Sequence, residues 1–142
     1  MLKTPDHEQI VERLQAHGIY PTRQRIEVAQ IMLSQDQHLS ADQVMQQVNR
    51  GATSVSKATI YNTLGLFASK GLLREVIVDP SRAFYDSNTS HHHHFFNVDS
   101  GTLSDIQPDQ LPLGDLPALP EGTEVDGVDI IVRIRNQHNP SA

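Results

Sequence analysis

The 142 residues include no cysteine. That absence excludes disulfides, thiolate-held iron–sulfur clusters and cysteine-based structural zinc, so any metal chemistry falls to His, Asp and Glu. No run of about 18 apolar residues occurs, and the charged first dozen residues lack an apolar stretch, so neither a membrane span nor a secretion signal is expected. The expected compartment is the cytoplasm. Cations are scarce late in the chain: residues 1–86 hold nine of the 11 Lys and Arg and nine of the 17 Asp and Glu, whereas residues 87–142 hold two and eight. The formal charge of −6 therefore belongs to the second part. It does not count against nucleic-acid binding by the first part, because affinity for phosphates follows local cationic patches. The length accommodates one ordinary domain or two small ones.

Against these absences stands one excess. Eight histidines occur, and half of them are consecutive at His91, His92, His93 and His94, with Tyr85-Asp86 before them and Asp105 after. Such an internal run is either a solvated polar turn or a nitrogen-and-oxygen metal site, and the rest of the chain has to decide.

In chain order, Ile10, Val11 and Leu14 share one face of a helix over 8–16, which Gly18 stops. Thr22 caps a second helix reaching about residue 34, with Arg23 and Arg25 in its first turn. Cations there oppose the helix dipole, which suggests a job such as meeting phosphate; solvated arginines are the plain alternative. Ser40-Ala41-Asp42-Gln43 has capping-box form and opens a third helix with Val44, Met45 and Val48 inward. Ala58, Ile60, Leu64, Phe67 and Ala68 trace the apolar face of a fourth, ending at Gly71. Its other face offers Lys57, Thr59, Tyr61 and Asn62, a mixture suited to phosphates and base edges, or else an ordinary solvated face. An extended run over 72–78, a turn at Asp79-Pro80-Ser81 and a second run over 82–85 form a hairpin. Helices followed by a hairpin make a winged helix-turn-helix, in which the last helix enters the major groove.

Together Pro21-Thr22-Arg23-Gln24-Arg25, His38-Leu39-Ser40-Ala41-Asp42, Ala58-Thr59-Ile60-Tyr61-Asn62-Thr63-Leu64, Gly71-Leu72-Leu73 and Phe84-Tyr85-Asp86 running into the histidines resemble the ferric uptake regulator (Fur) superfamily. The resemblance is greatest to its peroxide-responsive (PerR) and iron-response (Irr) branches, and it spans about residues 7–135. It implies an α+β protein with an N-terminal winged helix-turn-helix DNA-binding domain over 1–86 and a small α/β dimerisation and metal-sensing domain over 87–142. It further implies a cytoplasmic homodimer whose affinity for double-stranded operator DNA, an AT-rich inverted repeat, is set by one divalent metal per subunit.

Carried onto this sequence, the resemblance places the regulatory ligands at His38, Asp86, His92, His94 and Asp105. Alternation along a strand agrees, since His92 and His94 then point to one face while His91 and His93 point elsewhere. Three imidazoles and two carboxylates suit Fe(II), Mn(II) or Zn(II); zinc is favoured in vitro, and the resemblance implies iron or manganese. Arg23, Arg25, Lys57, Thr59, Tyr61 and Asn62 are the implied DNA contacts, and Tyr61-Asn62 follows the Irr branch.

The chain departs from its relatives in two places. Asn97 and Ser100 stand where many carry a first Cys-X-X-Cys pair, and no second pair follows, so no structural Cys-zinc is expected and dimer stability rests on apolar packing of residues such as Val128, Ile130, Ile131, Val132 and Ile134. Val128 replaces a histidine of a second metal site, leaving His91, His93 and Asp129 as a substitute secondary metal or haem group, or as solvated side chains. Four prolines over 107–122 disfavour the helix relatives commonly place there. A strand over 124–135 and a disordered tail from about 136 complete the expectation. The leading function is a metal-dependent repressor of iron or manganese homeostasis or peroxide stress and not an enzyme; the alternatives are a haem-responsive Irr-type regulator and a non-haem iron enzyme.

Overall fold

A computed structural model of the chain describes residues 5–51 and 54–138. The chain divides into two compact units, Met1–Thr89 and Ser90–Ala142.

The first unit runs α1 (His7–Ala16), α2 (Arg23–Met32), β1 (His38–Ser40), α3 (Ala41–Val48), α4 (Lys57–Ser69), β2 (Arg74–Asp79) and β3 (Arg82–Asp86). Each helix begins on a side-chain cap: Asp6 and Ser40 form capping boxes with Gln9 and Gln43, and Thr22 and Ser56 accept the backbone N–H of Arg25 and Thr59. These caps satisfy N–H groups that the first turn leaves without carbonyl partners. Gly18 (φ 72°) ends α1 and Gly71 (φ 79°) ends α4 in the left-handed region, and the N–H of Ile19 reaches back to Leu14 as that of Leu72 does to Phe67. Ile10, Leu14, Val28, Met32, Val44, Ile60, Leu64 and Phe67 form the fully buried centre of the core.

Two expectations need correction here. Ala58 is exposed, and the inward face of α4 is instead Ile60, Thr63, Leu64 and Phe67. Ala58 lies two residues before Ile60, about 200° round the helix, and so falls on the opposite face. The wing is also not a lone hairpin: β1 adds a third strand, giving the antiparallel order β1-β3-β2. At the hairpin turn Ser81 donates both its N–H and its hydroxyl to the Asp79 carboxylate, holding that group below the ordinary carboxylate range.

The second unit is a sheet of β4 (His93–Asn97), β5 (Leu103–Ile106) and β6 (Ile131–Ile134) in the order β5-β4-β6, with β4 antiparallel to β5 and parallel to β6. Phe96, Leu103 and Ile106 form its apolar centre. Between β5 and β6 the only helical piece is a short 3-10 turn, Pro108–Gln110, as the prolines require. β6 is shorter than the expected strand over 124–135. It pairs only with β4, over His94 to Asn97, and the preceding residues include Glu124, Asp126, Gly127 and Asp129, all exposed. Asn136, expected at the head of a disordered tail, is held: its N–H donates to Asp99 Oδ2 and its side-chain oxygen accepts from Asn97 Nδ2, both at 2.9 Å. Residues 139–142 of that tail lie outside the described residues. Among the described residues no helix is long and apolar enough to cross a membrane.

Candidate metal centre and nucleic-acid face

In the first unit, β1 is fastened to the end of β3 by Ser87, whose N–H donates to the Gln37 carbonyl and whose hydroxyl accepts from Gln37 N–H, each at 3.0 Å. That register sets His38 directly opposite Asp86. The His38 Nε2 lies 3.9 Å from Asp86 Oδ2, while Oδ1 accepts the Asn88 N–H at 2.8 Å. Asp86 is 1% exposed. A carboxylate that deep has to be satisfied, and a facing imidazole, a cation or both can do so.

In the second unit, His94 stands opposite Asp105 across β4–β5. One oxygen, Asp105 Oδ1, lies 3.5 Å from His94 Nε2 and 3.3 Å from His92 Nε2. His92 precedes the strand, yet its ring meets that of His94 at 4.6 Å between centroids, and the His91 and His93 rings meet at 5.1 Å, so the two pairs alternate. The His92 Nδ1 is 2.6 Å from the Ser90 carbonyl. A carbonyl only accepts, so Nδ1 carries the proton, and in the neutral ring Nε2, facing Asp105, is then the nitrogen that can bind a cation, as where an outer hydrogen bond orients a metal-binding histidine. With metal–ligand bonds of about 2.1 Å, neighbouring ligands lie about 3.0–3.4 Å apart. The distances from Asp105 Oδ1 to His92 and His94 lie close to that range, and the mixed nitrogen and oxygen donors suit Fe(II), Mn(II) or Zn(II).

His93 is not a solvated group. It is as buried as His92 and His94, and its Nδ1 accepts the Ile130 N–H at 3.0 Å, anchoring the approach to β6. His91 is exposed. His91, His93 and Asp129 do not bring three donor atoms within reach of one ion among the described residues.

The residues expected to meet DNA lie on α2 and α4. Lys57 is 3.8 Å from Asp42 and 5.7 Å from the centre of the Tyr61 ring. That ion pair is mostly exposed and weak, of about 0–1 kcal/mol, so phosphate can displace it. Tyr61 and Asn62 are exposed, and Thr59 is half-buried with its hydroxyl oxygen accepting from Ser56. Arg23 turns along its own helix to Glu27 at 3.2 Å, and Arg25 donates to the Tyr20 carbonyl at 2.8 Å. The sequence reading missed the roles of Ser87 and Ser90. Ser90 acts through its backbone carbonyl and Ser87 through both its N–H and its hydroxyl, roles that residue type does not announce.

Residues 16–115 match the ferric uptake regulator family. Over 104 residues the chain is 32% identical to the peroxide-responsive repressor PerR of Staphylococcus aureus, covering 73% of this chain and 70% of that protein. Its fold is similar to that of the ferric uptake regulator from Pseudomonas aeruginosa with manganese, at a TM-score of 0.65, 21% identity and coverage of 89% and 97%. It is equally similar to the Helicobacter pylori ferric uptake regulator, at a TM-score of 0.67, 17% identity and coverage of 96% and 95%. Structural likeness at such identities speaks for the fold, and the match in sequence speaks for descent. By the match in sequence the chain belongs to the ferric uptake regulator family, metal-sensing transcriptional regulators and not enzymes.

Proposed function

We propose that the protein is a homodimeric, metal-dependent repressor acting in the cytoplasm on an AT-rich inverted-repeat operator, with His38, Asp86, His92, His94 and Asp105 as its regulatory ligands and iron, manganese or peroxide as its signal. The observation that carries the reading is the single Asp105 oxygen shared by His92 and His94, with His92 locked in the ligand tautomer by Ser90. The His38–Asp86 pair of the first unit supplies two further donors of the same kind. An ion drawing on both sets restricts how the DNA-binding unit is presented by the second, dimerising unit, and operator half-sites at fixed spacing select that arrangement. Val98, Val125 and Ile134 leave apolar surface on the second unit for a partner copy. The PerR relative supports peroxide as the signal: Fe(II) held by these residues would give electrons to the peroxide O–O bond, and the oxidant so formed would add oxygen to a ligand histidine.

Gel shifts with apo, manganese-loaded and iron-loaded protein test this, the iron form with and without peroxide and with a haem titration alongside. Binding by both metal forms, lost on peroxide only from the iron form, is the expected result. Release by haem selects the Irr-type reading, and binding indifferent to metal contradicts the proposal.

A further inference from the structure

Between the first turn of α2 and the N-terminal half of α4 lies a groove of about 270 Å³ lined by Thr22, Gln24, Arg25, Thr59, Asn62 and Thr63. None of the six is acidic, in a chain of net charge −6, and every one of them can donate a hydrogen bond. Arg25 is held in place by its bond to the Tyr20 carbonyl, which leaves its other guanidinium N–H groups for a ligand. The positive end of the ten-residue helix α2 opens on the same groove.

Thr63 supplies an independent observation. Its side chain lines the groove and is only 6% exposed, and among the described residues its hydroxyl has no hydrogen-bond partner. No enclosed side-chain polar atom lacks a partner among the described residues, so the Thr63 oxygen stays accessible from the groove and can engage a ligand seated there. The lining as a whole asks for an acceptor carrying negative charge.

We propose that this groove seats one backbone phosphate of the bound DNA, held by the Arg25 guanidinium, the Gln24 amide and the Thr63 hydroxyl, so that Gln24 and Thr63 are DNA-binding residues in their own right. The inference rests on the DNA-binding reading above. Its consequence is geometric: Asn62 belongs both to this groove and to the outward face of α4, so a phosphate seated here fixes how deeply α4 enters the major groove. Arg23, turned to Glu27, takes no part.

The test uses full-length manganese-loaded protein and a duplex that the wild type selects from random-sequence DNA. Thr63→Val keeps the shape of the side chain and removes the hydroxyl; Gln24→Ala alters an exposed residue and carries the test should Thr63→Val misfold. Each variant is expected to weaken binding about tenfold, by the same factor on the selected duplex and on its single-base variants, because a phosphate contact carries no sequence information. A single methylphosphonate placed at successive linkages should then find one position where the wild type loses a similar factor and the variants lose little more. Wild-type affinity in both variants, or losses that no single linkage reproduces, overturns the groove assignment while leaving DNA binding intact. Failure of the wild type to select any duplex in any metal state overturns the functional reading, and this inference with it.

Discussion

Asp105 faces His94 across β4–β5 and offers the same carboxylate oxygen to His92, at 3.5 and 3.3 Å. Replacing that carboxylate by an amide keeps the shape and removes the negative charge, leaving a weaker neutral oxygen. Asp105→Asn is expected to weaken Mn(II) binding by about 10–100-fold, as losses around metal sites typically do. Competition with a fluorescent chelator measures it, and an unchanged affinity would show that the ion is held elsewhere.

The four histidines are predicted to separate into three behaviours. His92→Ala lowers metal affinity with little change in folding. His93→Ala leaves metal affinity intact but deprives the Ile130 N–H of its acceptor, at a cost of about 1–3 kcal/mol in a buried place. His91→Ala, at an exposed position, does neither. Metal titration and urea unfolding of the three variants give the answer, and a loss of metal binding in His93→Ala equal to that in His92→Ala contradicts the alternation.

Tyr85 gives a pH prediction. Burial, with the Glu75 carboxylate opposite it and Tyr61 nearby, holds its hydroxyl above the ordinary tyrosine value of 10.0. The folded state therefore keeps this proton longer than the unfolded chain does. Its contribution to stability is present in full below about pH 10 and is lost as pH rises through the folded value. Urea unfolding from pH 8 to 11 should show the wild type losing stability more steeply above pH 10 than Tyr85→Phe; parallel curves would contradict the assignment.

Asn136 closes a clamp without metal. Its N–H and side-chain oxygen bind Asp99 and Asn97, while Asn97 also accepts the N–H groups of Asp99 and Ser100. Asn136→Ala is expected to lower the stability of the second unit by about 1 kcal/mol, with no recovery on adding zinc. Thermal unfolding followed by hydrogen exchange in β6 measures it, and restoration by zinc would contradict a metal-independent clamp.

Much of the first unit was legible because its signals are local. Thr22, the Ser40–Gln43 box, Gly18 and Gly71 mark helix ends within a few residues of the bonds they make. β1 was not legible: three residues carry no periodicity, and their partner is Asp86 and its neighbours, far along the chain. The burial of His93 escaped for a related reason. Its acceptor role depends on Ile130, brought alongside by a parallel pairing that no nearby residue encodes. In the sequence Thr63 is only part of a motif, and the packing of α4 against the core shows it turned inward. At the candidate metal centre, alternation was enough to pair His92 with His94, whereas the shared Asp105 oxygen and the Ser90 carbonyl needed the strand register and the loop before it.

The central claim is that one divalent ion takes donors from both units and thereby governs DNA binding. It is tested most directly by fluorescence anisotropy of a wild-type-selected duplex titrated with Mn(II) in the presence of wild type, His38→Ala and Asp105→Asn. The account predicts that both variants, one in each unit, lose the manganese-stimulated binding alike while their folds persist. Full stimulation retained in His38→Ala would contradict it.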